Sequence, residues 1–231
     1  MIDVVIVSNS ETSLLRGMTS MAIRTARDNA GIDVGKIVVI EQCRWRKPYK
    51  GTKTLHYDFE FNYNKCLNLG FSVCESQYVA FCNNDLHFSK NWALNAILAI
   101  KDGYLSVSPT QKHIFPGILP GYEIGKHILG WCIIMDRIVM DRIGQFDCPV
   151  DFWYSDNVYA LQLQAAGIPH ALVGNSYVRH FTSTTLNKVK NSRKRMAMQK
   201  GQEKIFNKYK QENYVDTGTE IKAKKGNSNR R

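Results

Sequence analysis

Three apolar runs that each end on oxygen-bearing side chains constrain this chain more than any other feature. They are VVIVS (4–8), which runs into Ser8-Asn9-Ser10, KIVVIEQ (36–42), which ends on Glu41-Gln42, and YVAFC (78–82), which runs into Asn83-Asn84-Asp85. A continuous apolar run of this length is what a strand buried on both faces shows, and such strands belong to parallel sheets covered by helices. The segments between them have helical character. Leu14, Met18, Met21 and Thr25 fall near helical spacing over 12–29, behind Ser10 or Thr12 as a cap. The stretch 60–71 places Asn64 and Asn68 four apart on one face, and 91–102 reads as a helix stopped by Gly103. With a further strand at 104–109, the first ~110 residues alternate as an α/β sheet with parallel pairs. Ligands of such sheets bind at the carboxyl ends of the strands, where these polar clusters lie.

Beyond this unit, 110–130 is rich in Gly and Pro and reads as loop. A strand running into a short helix follows over 130–147, then an amphipathic helix at 155–167 ended by Gly167, then a strand at 170–181. After Thr185 the composition shifts. The expectation is one domain over 1–186 and a basic tail over 187–231, helical at first and frayed from Gly218.

Charge supports that division. The net charge is +11, but Asn187 to Arg231 holds 14 Lys and Arg against 4 Asp and Glu, leaving 17 against 16 for the rest. Such a tail is either a solvated face or an anchor for a polyanion, nucleic acid or an anionic membrane surface. No apolar run approaches the roughly 18 residues of a membrane span, so no integral membrane segment is expected. The opening MIDVVIVSNS has an Asp at position 3 and reads as a core strand, not a signal peptide. The six Cys, at 43, 66, 74, 82, 132 and 148, form no C-x-x-C pair, and several lie in apolar runs. They read as reduced thiols in a cytoplasmic protein, host cytoplasm if the source is viral.

Walker loops, G-x-G-x-x-G, H-E-x-x-H and G-x-S-x-G are all absent. A sheet that binds a nucleotide without a glycine-rich loop needs another way to neutralise phosphate, and a divalent cation on a carboxylate supplies it. Asp85 can give that carboxylate, and Asn83 or Asn84 an amide oxygen or a hydrogen bond to a sugar. The plainer reading of Asn-Asn-Asp is a turn. Asp156, at a helix start among aromatics, is either a helix cap or a general base. His180 ends a strand, either as a structural residue or as an imidazole ligand of the kind manganese accepts.

The order VVIVSNS, IVVIEQ, NKCLNLGFSVCESQYVAFCNND, GWCIIMDRIVMDRIGQFDCPVDFWYSDNVYALQLQAAG and VRHFTSTT resembles the family-two glycosyltransferases of the GT-A fold, small bacteriophage and viral members above all. The segment from Ile143 to Gly167 is its most specific part, and the resemblance covers about 2–186. It implies a Rossmann-like mixed sheet flanked by helices. It implies that Asn83-Asn84-Asp85 stands for the D-x-D motif, with Asn at its first position, so that Asp85 is the carboxylate linked to Mn2+ or Mg2+. His180 then meets metal or diphosphate. Asp156 stands for the acidic base of the E-D motif, with Ser155 in place of the Glu. Ser8, Asn9, Glu41 and Asn68 fall to the donor side, Glu41-Gln42 standing where Asp-Asp is usual. Gly130-Trp131 lies where the sugar or acceptor is met. The implied reaction is an inverting transfer from a nucleotide-diphosphate sugar, UDP-linked by expectation, with Asp156 taking the proton of an acceptor hydroxyl.

For the acceptor, the basic tail suggests hydroxymethylated bases of phage DNA. Lys188, Lys190, Arg193, Lys194 and Arg195 would contact phosphates, and Trp131, Trp153 or Tyr154 would stack on a base that leaves the helix. The rivals are a saccharide or lipid-linked acceptor, with Ile205, Phe206 and Tyr209 as an apolar face on a membrane, and a GT-A domain without catalysis that grips nucleic acid. A nucleotidyltransferase on a similar sheet would need a basic phosphate loop after the first strand, where only Arg16 stands.

Overall fold

The structure is a computed structural model that describes residues 1–44, 47–112, 114–181, 192–218 and 220–224, with backbone alone at 192–194. In chain order the elements are β1 (Ile2–Ser8), α1 (Ser13–Asp28), β2 (Val34–Glu41), β3 (Lys53–His56), α2 (Tyr63–Phe71), β4 (Tyr78–Asn83), β5 (Leu86–Phe88) and α3 (Trp92–Lys101). There follow β6 (Ser106–Thr110), β7 (Ile118–Pro120), β8 (Cys132–Asp136), α4 (Ile138–Ile143), α5 (Ser155–Ala165), β9 (His170–His180), α6 (Ser192–Asn213), β10 (Tyr214–Asp216) and β11 (Ile221–Ala223).

Local chemistry sets the ends of these helices. The Thr12 hydroxyl accepts the Leu15 N–H and caps α1, and the Asn62 amide oxygen accepts the Lys65 N–H and caps α2. Gly103 follows α3 at φ +107°, a left-handed conformation that stops the helix at little steric cost.

Nine strands form one mixed sheet in the order β3-β2-β1-β4-β8-β6-β9-β5, with β7 also on β9. β3, β2, β1 and β4 are mutually parallel, while β8 runs antiparallel between β4 and β6. β9 is parallel to β6, and its second half pairs antiparallel with β5. Period-two alternation sorts the strand side chains into two cores. Val4, Ile6, Val39, Ala80 and Cys82 face Ala22, Ala26, Trp92 and Ala96 of α1 and α3. Val5, Val7, Val38, Val79 and Phe81 face Leu67, Met140, Tyr159 and Leu163 of α2, α4 and α5. Both faces are therefore covered, as the continuous apolar runs require.

The sequence reading is amended at the short strands. The 110–130 loop contains β7, whose Leu119 pairs with Leu172. The end of the chain beyond Gly218 is not frayed throughout, because β10 and β11 close a hairpin with Asp216 opposite Ile221. α6 lies against the body: Tyr209 and Tyr214 share a core with Val150, Val158 and Leu161, and Phe206 packs beside them. Among the described residues no helix is long and apolar enough to cross a membrane.

Candidate functional site

The site forms where β4 ends. After Asn83, only Asn84 and Asp85 separate β4 from β5, which pairs not with β4 but with the end of β9, Leu86 opposite His180. That crossing sets Asp85 beside His180. Oδ1 of Asp85 lies 3.2 Å from Nε2 of His180, with side-chain exposures of 8% and 12%. The two do not form a hydrogen bond, and Asp85 Oδ1 is a buried oxygen with no hydrogen-bond partner. A buried carboxylate oxygen left unpaired is costly unless something else meets it.

A continuous set of contacts leads from this pair to Asp156. The Trp131 ring stacks on His180 at 5.3 Å and 24°. The Trp131 carbonyl accepts the Asn83 N–H at 2.9 Å. Tyr63 reaches in from α2, its hydroxyl donating to Asn83 Oδ1 at 2.9 Å and approaching the Gly130 carbonyl at 3.5 Å. Gly130 in turn lies against Asp156: a methyl group there would come within 2.9 Å of Asp156 Oδ2 and 2.8 Å of its Cβ. Only a residue without a side chain lets the loop approach the carboxylate so closely.

Asp156 sits in the first turn of α5 but does not cap it. The cap position is Tyr154, at φ +70° and with no side-chain cap bond. Asp156 Oδ1 accepts the N–H of the next residue, Asn157, at 3.0 Å. Burial raises its carboxyl above the ordinary carboxylate range, and the backbone N–H groups of Asn157 and of Asp156 itself only partly oppose the rise. A non-glycine residue held left-handed two positions before a buried carboxylate is a local cost that the surrounding packing must hold in place.

Several residues expected on the donor side hold the strand ends together. Glu41 is fully buried, and its carboxylate accepts from Ser8 Oγ, from Ser10 N and Oγ, from Cys43 N and from Tyr49 OH, at 2.6–3.0 Å. Burial alone would raise this carboxyl, but the bonds from Ser10, Cys43 and Tyr49 outweigh it and hold it below the ordinary range. Ser8 also meets Thr19 at 3.0 Å, and the Asn84 amide donates to Thr19 at the same distance. Ser8, Glu41 and Asn84 thus form a buried polar bracket between β1, β2 and β4. Asn68 likewise clamps a loop: its amide donates to the Phe146 carbonyl at 2.8 Å and accepts the Phe146 N–H at 3.0 Å. Asn9 differs from these. Its Oδ1 is buried and unpartnered, and it lines a cleft of about 560 Å³ with Gln42, Tyr57, Phe59 and Phe61 beyond the ends of β1 and β2.

On the other side, Trp153 is partly buried, its neighbour Phe152 meeting it edge to face at 5.7 Å. Tyr154 already has a stacking partner, Phe206 of α6, at 5.4 Å and 13°. Arg195 is partly buried on α6. Lys188 and Lys190 lie outside the described residues, as do the side chains of Arg193 and Lys194. Two contributors had no signal in the sequence. Tyr63 is one aromatic among several near α2, and only the sheet register brings it to Asn83. Tyr49 lies in a loop and binds Glu41 across the fold.

No family model matches the sequence, and no curated protein matches it. Two solved glycosyltransferases of the GT-A fold are similar in structure. One is GalNAc-T7, crystallised with UDP, GalNAc and Mn2+, with a TM-score of 0.60 at 16% identity over 78% of this chain and 43% of the other. The second is residues 1–349 of S. aureus TarS, with a TM-score of 0.56 at 12% identity over 77% of this chain and 59% of that one. The chain therefore spans about half the length of these structures. At such identities the likeness is one of fold, and the chain has the GT-A architecture of a mixed sheet flanked by helices.

Proposed function

We propose that the protein is an inverting glycosyltransferase that moves a sugar from a UDP-linked donor to a hydroxyl of a polyanionic acceptor, nucleic acid in the first instance. The observation that carries this reading is the unbroken set of contacts Asp85–His180–Trp131–Gly130–Asp156 at the strand-end face, with an unpaired carboxylate oxygen at one end and a burial-raised carboxyl at the other.

Asp85 and His180 fit a divalent cation. An unpaired carboxylate oxygen beside an imidazole nitrogen is a donor set that manganese accepts more readily than magnesium. Among the described residues no third His, Cys, Asp or Glu joins them, so a cation here would keep positions for diphosphate and water. When bound, it offsets the charge that develops on the departing diphosphate. The cleft at Asn9, Gln42, Tyr57 and Phe59 has the size and aromatic lining to take a nucleoside, with the Asn9 oxygen free to accept from the base.

Asp156 takes the acceptor proton onto a carboxylate oxygen as the hydroxyl attacks the anomeric carbon from the face opposite the diphosphate. Its raised pKa makes it a better base than an exposed Asp. Gly130 leaves room for the carboxylate, and Tyr63, protonated because burial pushes its phenol well above the ordinary value, fixes Asn83 and the loop before β8. The charge that develops on the sugar ring resembles that of glycoside hydrolysis.

For the acceptor, the membrane-bound alternative requires α6 to offer an apolar face. Of the three residues expected there, Phe206 and Tyr209 are turned to the body and Ile205 is exposed, as are Met196 and Met198, while Lys200, Lys204 and Lys208 stand exposed at helical spacing on the outer side. That arrangement supports a polyanion over a bilayer.

The test is calorimetry of UDP with and without Mn2+, on the wild type and on Asp85→Ala. The expected result is metal-dependent binding that weakens at least about tenfold in the variant, the effect of removing one charge-assisted interaction. No binding of UDP by the wild type in either condition would overturn the UDP reading.

A further inference from the structure

The inner face of α6 touches the segment that leads to Asp156 at successive helical turns. Gln202 Oε1 accepts the N–H groups of Asp151 and Phe152 at 2.8 and 3.1 Å, and its amide donates to Asp151 Oδ2 at 2.7 Å. Phe206, one turn on, stacks flat against Tyr154. Tyr209, a further turn on, bonds to Asp147 Oδ2 and to Tyr214. Positions 202, 206 and 209 form one stripe of the helix.

The segment they hold includes a backbone strained before α5. Tyr154 is left-handed at φ +70° and caps nothing. The turn closes through Phe152, whose carbonyl accepts both the Ser155 hydroxyl at 2.8 Å and the Ser155 N–H at 3.3 Å. The N–H of that same Phe152 is bonded to Gln202. Asp156 is the next residue after Ser155 and lies against Gly130.

We propose that Gln202 and Phe206 are positioning residues for Asp156, so that the basic helix is part of the catalytic apparatus and not only an anchor. The role of Asp156 as base rests on the function proposed above, but the positioning does not. Packing α6 against the turn places its free energy where the strained Tyr154 backbone needs it.

The test uses the full chain. Gln202→Met removes the three hydrogen bonds at constant length, and Phe206→Leu removes the stack. The paired exchange Asp151→Asn with Gln202→Glu keeps acceptors for both backbone N–H groups and reverses the side-chain bond. The Asp156 carboxyl is followed by carbon-13 NMR titration, assigned by its loss in Asp156→Asn. In both single variants its midpoint should fall toward the ordinary Asp value as the loosened turn admits water, and in the paired exchange it should return. UDP release from UDP-glucose should fall about 10- to 100-fold, as a misplaced catalytic group costs, while UDP affinity stays within about twofold. An unchanged Asp156 midpoint in the folded variants overturns the positioning role. If Gln202→Met does not fold, Phe206→Leu and the paired exchange decide. If the wild type releases no UDP from any UDP-sugar, glycosyl transfer has failed, and the carboxyl titration still decides the positioning.

Discussion

Asp156 costs stability at neutral pH if it is held as a base, and that cost is measurable without substrate. Its folded pKa lies above the ordinary Asp value of 3.8 because burial disfavours the charge. The favourable part of its contribution is therefore complete below the unfolded value and is lost as pH rises through the folded value. Asp156→Asn removes the charge at nearly constant shape. The variant should be more stable than the wild type at pH 7, by urea unfolding, with the gain shrinking as pH falls toward the unfolded pKa. Glycosyl transfer should be abolished in the same variant. A midpoint unchanged or lowered at pH 7 would mean that the carboxylate is satisfied by its contacts, contrary to a poised base. The contrast with Glu41 sharpens the point. Both are buried carboxylates, but Glu41 collects hydrogen bonds from Ser8, Ser10, Cys43 and Tyr49 and is held below the ordinary range. A carboxylate spent on structure and one kept for chemistry thus differ in their partners, which residue type alone does not reveal.

At the scale of elements, α2 is the clamp for the segment that precedes α5. Asn62 bonds the Cys148 and Val150 carbonyls, Asn64 the Asp147 carbonyl, and Asn68 both backbone groups of Phe146. Asn68→Ala leaves the Phe146 N–H without its side-chain acceptor and the Phe146 carbonyl with the Cys148 thiol in place of the amide, which should lower stability by about 1–3 kcal/mol and leave UDP affinity nearly intact. A large loss of UDP affinity with little change in the unfolding midpoint would return Asn68 to the donor site. The i, i+4 spacing of Asn64 and Asn68 was legible in the sequence as one helix face. Their partners, 83 and 78 positions away, were not, because spacing along a helix carries no information on what lies opposite it. The same limit applies to strands. β1, β2, β4 and β9 are long enough for hydrophobic pattern to mark them. β5 and β7, of 3 residues each, are too short for any period to show, yet β5 is what carries Asp85 to His180. The candidate site was therefore readable as residue types at strand ends, and not as the crossing that joins them.

For the molecule as a whole, the uneven charge gains a geometry. The described part of the basic segment is not an extended arm but a helix docked on the α/β body, its inner face occupied by Gln202, Phe206 and Tyr209 and its outer face carrying Lys200, Lys204 and Lys208. Deleting everything from Asn187 would strip the cover from Val158 and Leu161 and so mix a loss of folding with a loss of binding. Charge reversal on the outer face avoids that, since these lysines are exposed and take no part in the packing. Lys200→Glu, Lys204→Glu and Lys208→Glu together should leave the unfolding midpoint and UDP affinity near wild type. Affinity for a short DNA duplex should fall sharply. The slope of log K against log salt should flatten by about one unit for each phosphate that is no longer neutralised. A polyanion held by these lysines would be loosely specified in sequence, because phosphate contacts position a nucleic acid without reading it. Discrimination would then fall to the groups near Asp156, where the proposed reaction requires the acceptor hydroxyl to arrive. Equal DNA affinity and an equal salt slope in the triple variant would remove nucleic acid from the outer face of α6, and would leave a neutral saccharide as the acceptor to pursue.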